Sequence, residues 1–250
     1  MNAKTALAAV LIMSLTCAAS AVRGASEPLL GPPPVAALKS SGIEWQEGTN
    51  YEVLTTPRIV PASDKVEILE FFQYGCPGCY TMEPHTTLWK IMYENLATVT
   101  RVPVMFRPKL RSFARLYYTL EALGRIDARG RNDLHHEVFD QVQRIWQPPL
   151  TSDDGQENFK LQLQFATSWG IDAAKFTEAY HSAAVEQKLR QAEELGTTYR
   201  ITHTPTFVVA GKYQTDTAKA GDEFRLMRLL TDLALKSREP QEGALMSRAH

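Results

Sequence analysis

Two cysteines stand three positions apart in FFQYGCPGCYTMEPH, residues 71–85 of a 250-residue chain whose only other cysteine is Cys17. Cys76 and Cys79 admit three chemistries. A structural disulfide across this spacing would close a very small ring, and disulfide stabilisation grows with loop length, so the bond would add little to a fold. A structural zinc site needs four ligands, and the chain offers no second cysteine pair. Two thiolates can hold copper(I), but Tyr74 stands where a Met-x-Cys-x-x-Cys copper loop has methionine. Redox exchange needs one exposed, thiolate-prone cysteine and a second close enough to resolve the mixed disulfide it forms. Cys76 at a helix start would face unsatisfied N–H groups that favour its thiolate. Cys79, one turn inward, would resolve. Pro77 suits a first helical turn, where its missing N–H has no partner to lose. No metal and no cofactor are expected.

A second stretch, ITHTPTFVVAGKY at 201–213, places Thr204-Pro205 just before an apolar run. A Thr-Pro bond there is compatible with cis, although most X-Pro bonds are trans. His203 has two readings: a donor near Cys76, if this loop abuts the pair, or an exposed loop histidine. His85 and the His135-His136 pair read as helix-surface residues, since HHEVF lacks the His-Glu-x-x-His zinc spacing.

The elements that must position these residues are legible. KVEILEFFQY is apolar almost throughout, as a central strand buried on both faces requires. Glu70 interrupts it, and a carboxylate there is costly unless paired. Gly75 ends the strand, and Tyr80 to Leu96 carries apolar residues at helical spacing, with Pro84 expected to kink that helix. TVTRVPVMF (98–106) reads as the next strand, so strand, helix and strand form a βαβ unit with parallel strands. A Cys-x-x-Cys at such a strand-to-helix turn is the pattern of a thioredoxin-like redox site. YEVLTT reads as an edge strand. Residues 111–200 hold helical stretches punctuated by Gly124, Pro148-Pro149, Gly155 and Gly170, a helical subdomain inserted into an α/β fold. Residues 201–236 return a hairpin about Ala210-Gly211 and an amphipathic closing helix. Residues 237–250 read as a frayed tail.

The chain has 44% hydrophobic residues, 22% charged residues and a net charge of -1. That suits a globular protein with a real core and gives no basic run for nucleic acid. MNAKTALAAVLIMSLTCAASA reads as a signal peptide cleaved after Ala21. Its apolar run is shorter than the ~20 residues that span a bilayer. SLTC lacks the leucine three residues before cysteine that a lipoprotein signal carries. Export would leave Cys76 and Cys79 in an oxidising compartment. Residues 22–43 read as an extended leader, polyproline-like at Pro32-Pro33-Pro34, with a short helix in ALKSSGIEW. The folded body then begins at 44, with residues 44–110 and 201–236 forming the thioredoxin-like part.

Over about residues 44 to 236 the chain resembles the DsbA family of periplasmic disulfide oxidases, in the thioredoxin-fold superfamily. EWQEGTNYEVLTTP is similar to the family's opening segment, ILEFFQYGCPGCYTMEP to its active-site strand and helix, and THTPTFVVAGKYQ to its cis-proline strand. The resemblance implies that Cys76 is the nucleophile and Cys79 the buried partner. It also implies a cis Thr204-Pro205 bond, with Pro205 packed on the pair so that neighbouring backbone groups take an extended substrate by strand addition. Glu70, Glu83 and Arg101 match charged positions that the family keeps near its site. Arg101 is a candidate partner for Glu70. Glu70 reads either as a proton acceptor beneath Cys79 or as half of a structural ion pair, and Glu83 either as a site residue or as a solvated helix residue. Gly78 departs from the family's histidine, and Thr204 from the valine of several oxidases. Both point away from a strong oxidant. The resemblance implies oxidation of cysteine pairs in exported proteins, with an isomerase or reductase kept reduced as the alternative. The implied partners are unfolded exported proteins with cysteines, and a quinone-linked membrane oxidase like DsbB or a reductase like DsbD. Dimerisation through the leader is a further expectation, and a client-binding chaperone without exchange activity is the non-enzymatic alternative.

Overall fold

A computed structural model of the chain describes residues 31–55, 64–127, 133–144, 147 and 149–239. The signal-peptide reading and most of the tail fall outside them. The apolar run becomes a central strand, β2 (Val66–Phe72), preceded by a short edge strand, β1 (Glu52–Val53). Helix α1 (Pro77–Met92) leads to β3 (Ala97–Pro103), which lies parallel to β2 as a βαβ unit demands. Then β4 (Thr206–Val209) pairs antiparallel with β2 and turns into β5 (Tyr213–Asp216). The turn uses consecutive positive φ values, 53° at Ala210 and 63° at Gly211, which match the twist of a tight hairpin. Across the sheet the order is β1-β5-β4-β2-β3.

Side-chain alternation along the strands builds two cores. Ile68, Phe207 and Val209 face α1 and the closing helix (Glu223–Arg238), meeting Trp89, Leu226, Leu229 and Leu233. Burying each of those leucines contributes about 1.5–3 kcal/mol. Leu69, Phe71 and Val208 face the other way, into a cluster that includes Leu116, Leu120 and Leu189. Those come from α2 (Pro108–Ala122) and α6 (Ala183–Thr198), which with α3 (His135–Gln143), α4 (Gly155–Ser168) and α5 (Ala173–Tyr180) lie between β3 and β4 in the chain. Asp172 and Ser182 start α5 and α6 by accepting from the N–H groups of Lys175 and Val185. A one-turn helix, α7 (Thr217–Ala220), follows β5, capped by Asp216, which accepts from the Lys219 N–H; the closing helix is α8, and it runs to Arg238 rather than ending at 236.

Two expectations need correction. ALKSSGIEW is not helical beyond its first residue; a single 3-10 turn, Val35–Ala37, ends at Ala37. The leader is also not free of the body from residue 35 onward. Val35, Leu38 and Trp45 pack against the α1–α8 core. The Ser41 N–H donates to Asp232 Oδ1 at 2.8 Å and the Trp45 indole N–H to Asp232 Oδ2 at 2.7 Å. The apolar residues here are too sparse to show a period, so composition read as linker what packing makes part of the fold.

Candidate active site

Gly75 and the N-terminus of α1 set the two cysteines at the end of β2. Cys76 is the N-cap residue, half-buried, and its sulfur accepts from the Cys79 N–H at 3.4 Å. Cys79 is buried one turn in, and both are free thiols. The Cys76 pKa falls to about 5. A hydrogen bond from the Cys79 thiol is the largest cause; burial opposes it, and the Thr204 hydroxyl and the backbone N–H groups of Cys79 and Gly78 add to it. Cys79 moves the other way, raised by burial and by the neighbouring Cys76 sulfur. One sulfur is therefore a thiolate at neutral pH and the other is not.

The Thr204-Pro205 peptide bond is cis. The Cys76 sulfur lies 3.3 Å from the Thr204 carbonyl oxygen, so the protonated thiol can donate to that oxygen while the thiolate draws on the Thr204 hydroxyl instead. Pro205 is buried and closes over the helix start. A Cβ at Gly78 would come within 3.3 Å of the proline Cδ, so glycine is what permits this approach without adjustment. The N–H groups of Thr202, His203 and Thr204 make no hydrogen bond among the described residues. They form a short exposed edge beside the reactive sulfur.

His203 does not stand in for the missing histidine at Cys76. Its Nε2 lies 3.1 Å from Asp216 Oδ2 at the start of α7, and its imidazole is exposed. Glu70 and Arg101 face each other in the β2–β3 register and pair at 3.1 Å, both buried. Burial raises the Glu70 pKa against the pull of Arg101 and Thr86. Burial also works against the Arg101 charge, but Glu70 and Asp127 outweigh it and hold the guanidinium charged. The other hydrogen-bond partner of Glu70 is Thr86, two helical turns past Cys79, and no hydrogen bond joins it to that thiol among the described residues.

Glu83 is not solvated, nor are the α3 histidines alike. Glu83 is buried, accepting from Thr87 at 2.9 Å and lying 2.7 Å from His136 Nδ1. Thr87 also accepts from Arg101 at 2.8 Å, so a polar chain runs from Glu70 through Arg101 and Thr87 to Glu83 and His136. Tyr80, next to Cys79, donates to Asp140 of α3 at 2.6 Å. His135 is a core residue: its ring sits among Phe72, Tyr117 and Phe139, with Nδ1 at 2.9 Å from the Tyr74 hydroxyl, and burial keeps it neutral. His85 lies against Phe224 of α8. Tyr80, His136 and Asp140 were missed because they meet across α1 and α3, far apart in sequence.

The family described as DSBA-like thioredoxin domain matches residues 67–229. A Burkholderia cepacia relative, "Thiol:disulfide interchange protein DsbA", is 34% identical over 172 residues, covering 68% of this chain and 76% of that one. The Pseudomonas aeruginosa protein of the same description is 29% identical over 195 residues, covering 78% and 87%. Among solved structures, Pseudomonas aeruginosa DsbA superposes with a TM-score of 0.64 at 30% identity, over 78% of this chain and 95% of that one.

Proposed function

This chain belongs to the DSBA-like thioredoxin domain family, and on that premise we propose that it oxidises cysteine pairs in exported proteins through Cys76 and Cys79. It is a thiol:disulfide oxidoreductase. The observation that carries the oxidative direction is the split between the two sulfurs, with Cys76 held at about 5 and Cys79 raised.

In the oxidised enzyme a client thiolate attacks Cys76 of the Cys76–Cys79 disulfide. A client–Cys76 disulfide forms, the enzyme bond breaks, and Cys79 leaves with the electron pair and takes up a proton. The client's second thiolate then attacks its own sulfur in the mixed disulfide. Cys76 departs as a thiolate, and the client holds a new disulfide after losing two electrons and two protons. One proton is kept by Cys79; the other goes to solvent, because Cys76 stays ionised above pH about 5. A stable leaving thiolate speeds the second step and makes the enzyme disulfide easier to reduce. The edge at Thr202 to Thr204 takes the client backbone by strand addition. Glu70 and Arg101 serve as a structural pair under the helix, and Glu83 joins them to α3. The reduced enzyme returns to its disulfide by passing two electrons to a quinone-linked membrane oxidase like DsbB. The setting is the periplasm, reached through the signal peptide at residues 1–21.

Equilibration with glutathione tests this. A Cys76 pKa of about 5 lies between the ~7 of thioredoxin and the ~3.5 of a strong oxidase. The potential should likewise lie between the roughly -270 mV of thioredoxin and the roughly -120 mV of the strong oxidase. A potential near that of thioredoxin, about -270 mV, would make the chain a reductase or isomerase kept reduced by a DsbD-like partner. No exchange at all would leave only a client-binding chaperone.

A further inference from the structure

Beside the cis-proline loop lies a cavity of about 330 Å³ between the exit of β3 and the link from α6 to β4. Val104, Met105, Phe106 and Ile201 supply apolar walls, while Arg200 and Thr202 stand at the side nearest the loop. Two features of this cavity have no structural use. Phe106 is 46% exposed, a large ring left in solvent. Arg200 has φ 50° at the end of α6, where the N–H of Ile201 closes back on the Gly196 carbonyl. Glycine is the residue that holds such a position without cost, and arginine there is strained. Arg200 makes no ion pair among the described residues. Its neighbour Glu193 is already engaged by Arg111. A strained, unpaired cation beside an exposed aromatic ring is an arrangement that serves a ligand better than the fold.

The geometry points to this cavity as the client side-chain subsite that sets substrate preference, a proposal that rests on the strand-addition reading of Thr202 to Thr204. A client cysteine opposite Thr204 puts the residue two positions along its chain opposite Thr202, on the same side of the strand, ~7 Å away. Thr202 lines the cavity. The side chain it takes is bulky and apolar, filling the space against Phe106, and a neighbouring carboxylate on the client meets Arg200. Clients are therefore selected for an aromatic or long aliphatic residue two positions from the reacting cysteine with an acidic residue beside it. The half of the cavity formed by α6 belongs to the inserted helices, which gives the insertion a part in substrate choice.

The test uses the oxidised full chain and short synthetic dithiol peptides. They carry phenylalanine, leucine or serine two positions before or after the reacting cysteine, flanked by glutamate or lysine. Each oxidation rate is divided by that for dithiothreitol, which carries neither an apolar side chain nor a carboxylate for the cavity. Phenylalanine peptides flanked by glutamate should exceed serine peptides flanked by lysine by about tenfold, within the range a single pocket contact gives. Phe106→Ser should flatten the first preference, and Arg200→Glu should invert the second. Arg200→Gly, which suits the positive φ, should abolish the charge preference without risk to folding. A flat peptide profile, or one unchanged in all three variants, overturns the subsite. Failure to oxidise dithiothreitol itself would instead overturn the proposed oxidase.

Discussion

At the scale of single residues, the difference between two chemically identical thiols comes from one helical turn. Cys76 collects donors from Cys79, Thr204 and the first backbone N–H groups of α1, while Cys79 is desolvated. The consequence depends on pH, and its sign follows from linkage. In the reduced protein the folded Cys76 releases its proton near pH 5, whereas an unfolded cysteine does so near about 8.5. Between those values the unfolded state binds the extra proton, so ionisation stabilises the reduced fold increasingly as pH rises. That contribution is complete above about 8.5 and lost as pH falls through 5. The oxidised protein has no such group. The thermal midpoint of the reduced protein should therefore fall relative to that of the oxidised protein from pH 8 to pH 5, and a constant difference would refute the depressed thiol. Thr204→Val removes one donor from the sulfur and should raise the Cys76 midpoint, read by thiolate absorbance, by about one unit. An unchanged midpoint would mean that the backbone donors suffice alone.

At the scale of elements, the seat of α1 on the sheet depends on a charge that the sheet itself buries. Glu70 and Arg101 are opposite each other in the parallel register, and the helix covers them with Thr86 and Thr87. Arg101→Met would leave Glu70 buried and unpaired, at a cost of about 3–5 kcal/mol. Glu70→Leu with Arg101→Met should restore most of it, measured by urea unfolding, because two apolar side chains leave no charge behind. If the double variant is as unstable as the single, the pair is doing more than satisfying itself. The need for a partner was legible at Glu70, a carboxylate in a largely apolar strand, while Arg101 as that partner came from the family resemblance. The strands, the βαβ unit, the inserted helices and the hairpin were legible because local period and punctuation dictate them. Glu83 and His135 were not. Their spacing on α1 and α3 is compatible with solvent, and only the docking of α3 against α1 and β2 decides that one is buried against His136 and the other lies in an aromatic core. Of its two readings His203 takes the exposed-loop one, and its contact with Asp216 went unread because the sequence does not reveal that Asp216 on β5 lies across from its loop.

At the scale of the whole described body, the segment before β1 is what the sequence understated. Asp232, on α8, collects the Ser41 backbone N–H, the Ser41 hydroxyl and the Trp45 indole N–H, and Arg225 of the same helix lies over the Trp45 ring at 5.0 Å. Residues 35–45 thus spend their apolar and hydrogen-bonding groups on their own α8, which argues against those same residues joining two copies. Asp232→Ala would strand several donors at once. With about 1–3 kcal/mol for a charged acceptor lost from a partly buried site, the variant should unfold at lower urea and be cut more readily by protease between residues 35 and 45. Its Cys76 titration should stay near 5, because Asp232 is not among the groups that shift that thiol. Mass and elution volume should also match those of the parent chain. A dimer in the parent that Asp232→Ala dissolves would show instead that the segment reaches a second copy, restoring the leader as an assembly element. A monomer with an exposed, protease-sensitive segment and an intact thiolate would assign it to holding α8 against the sheet.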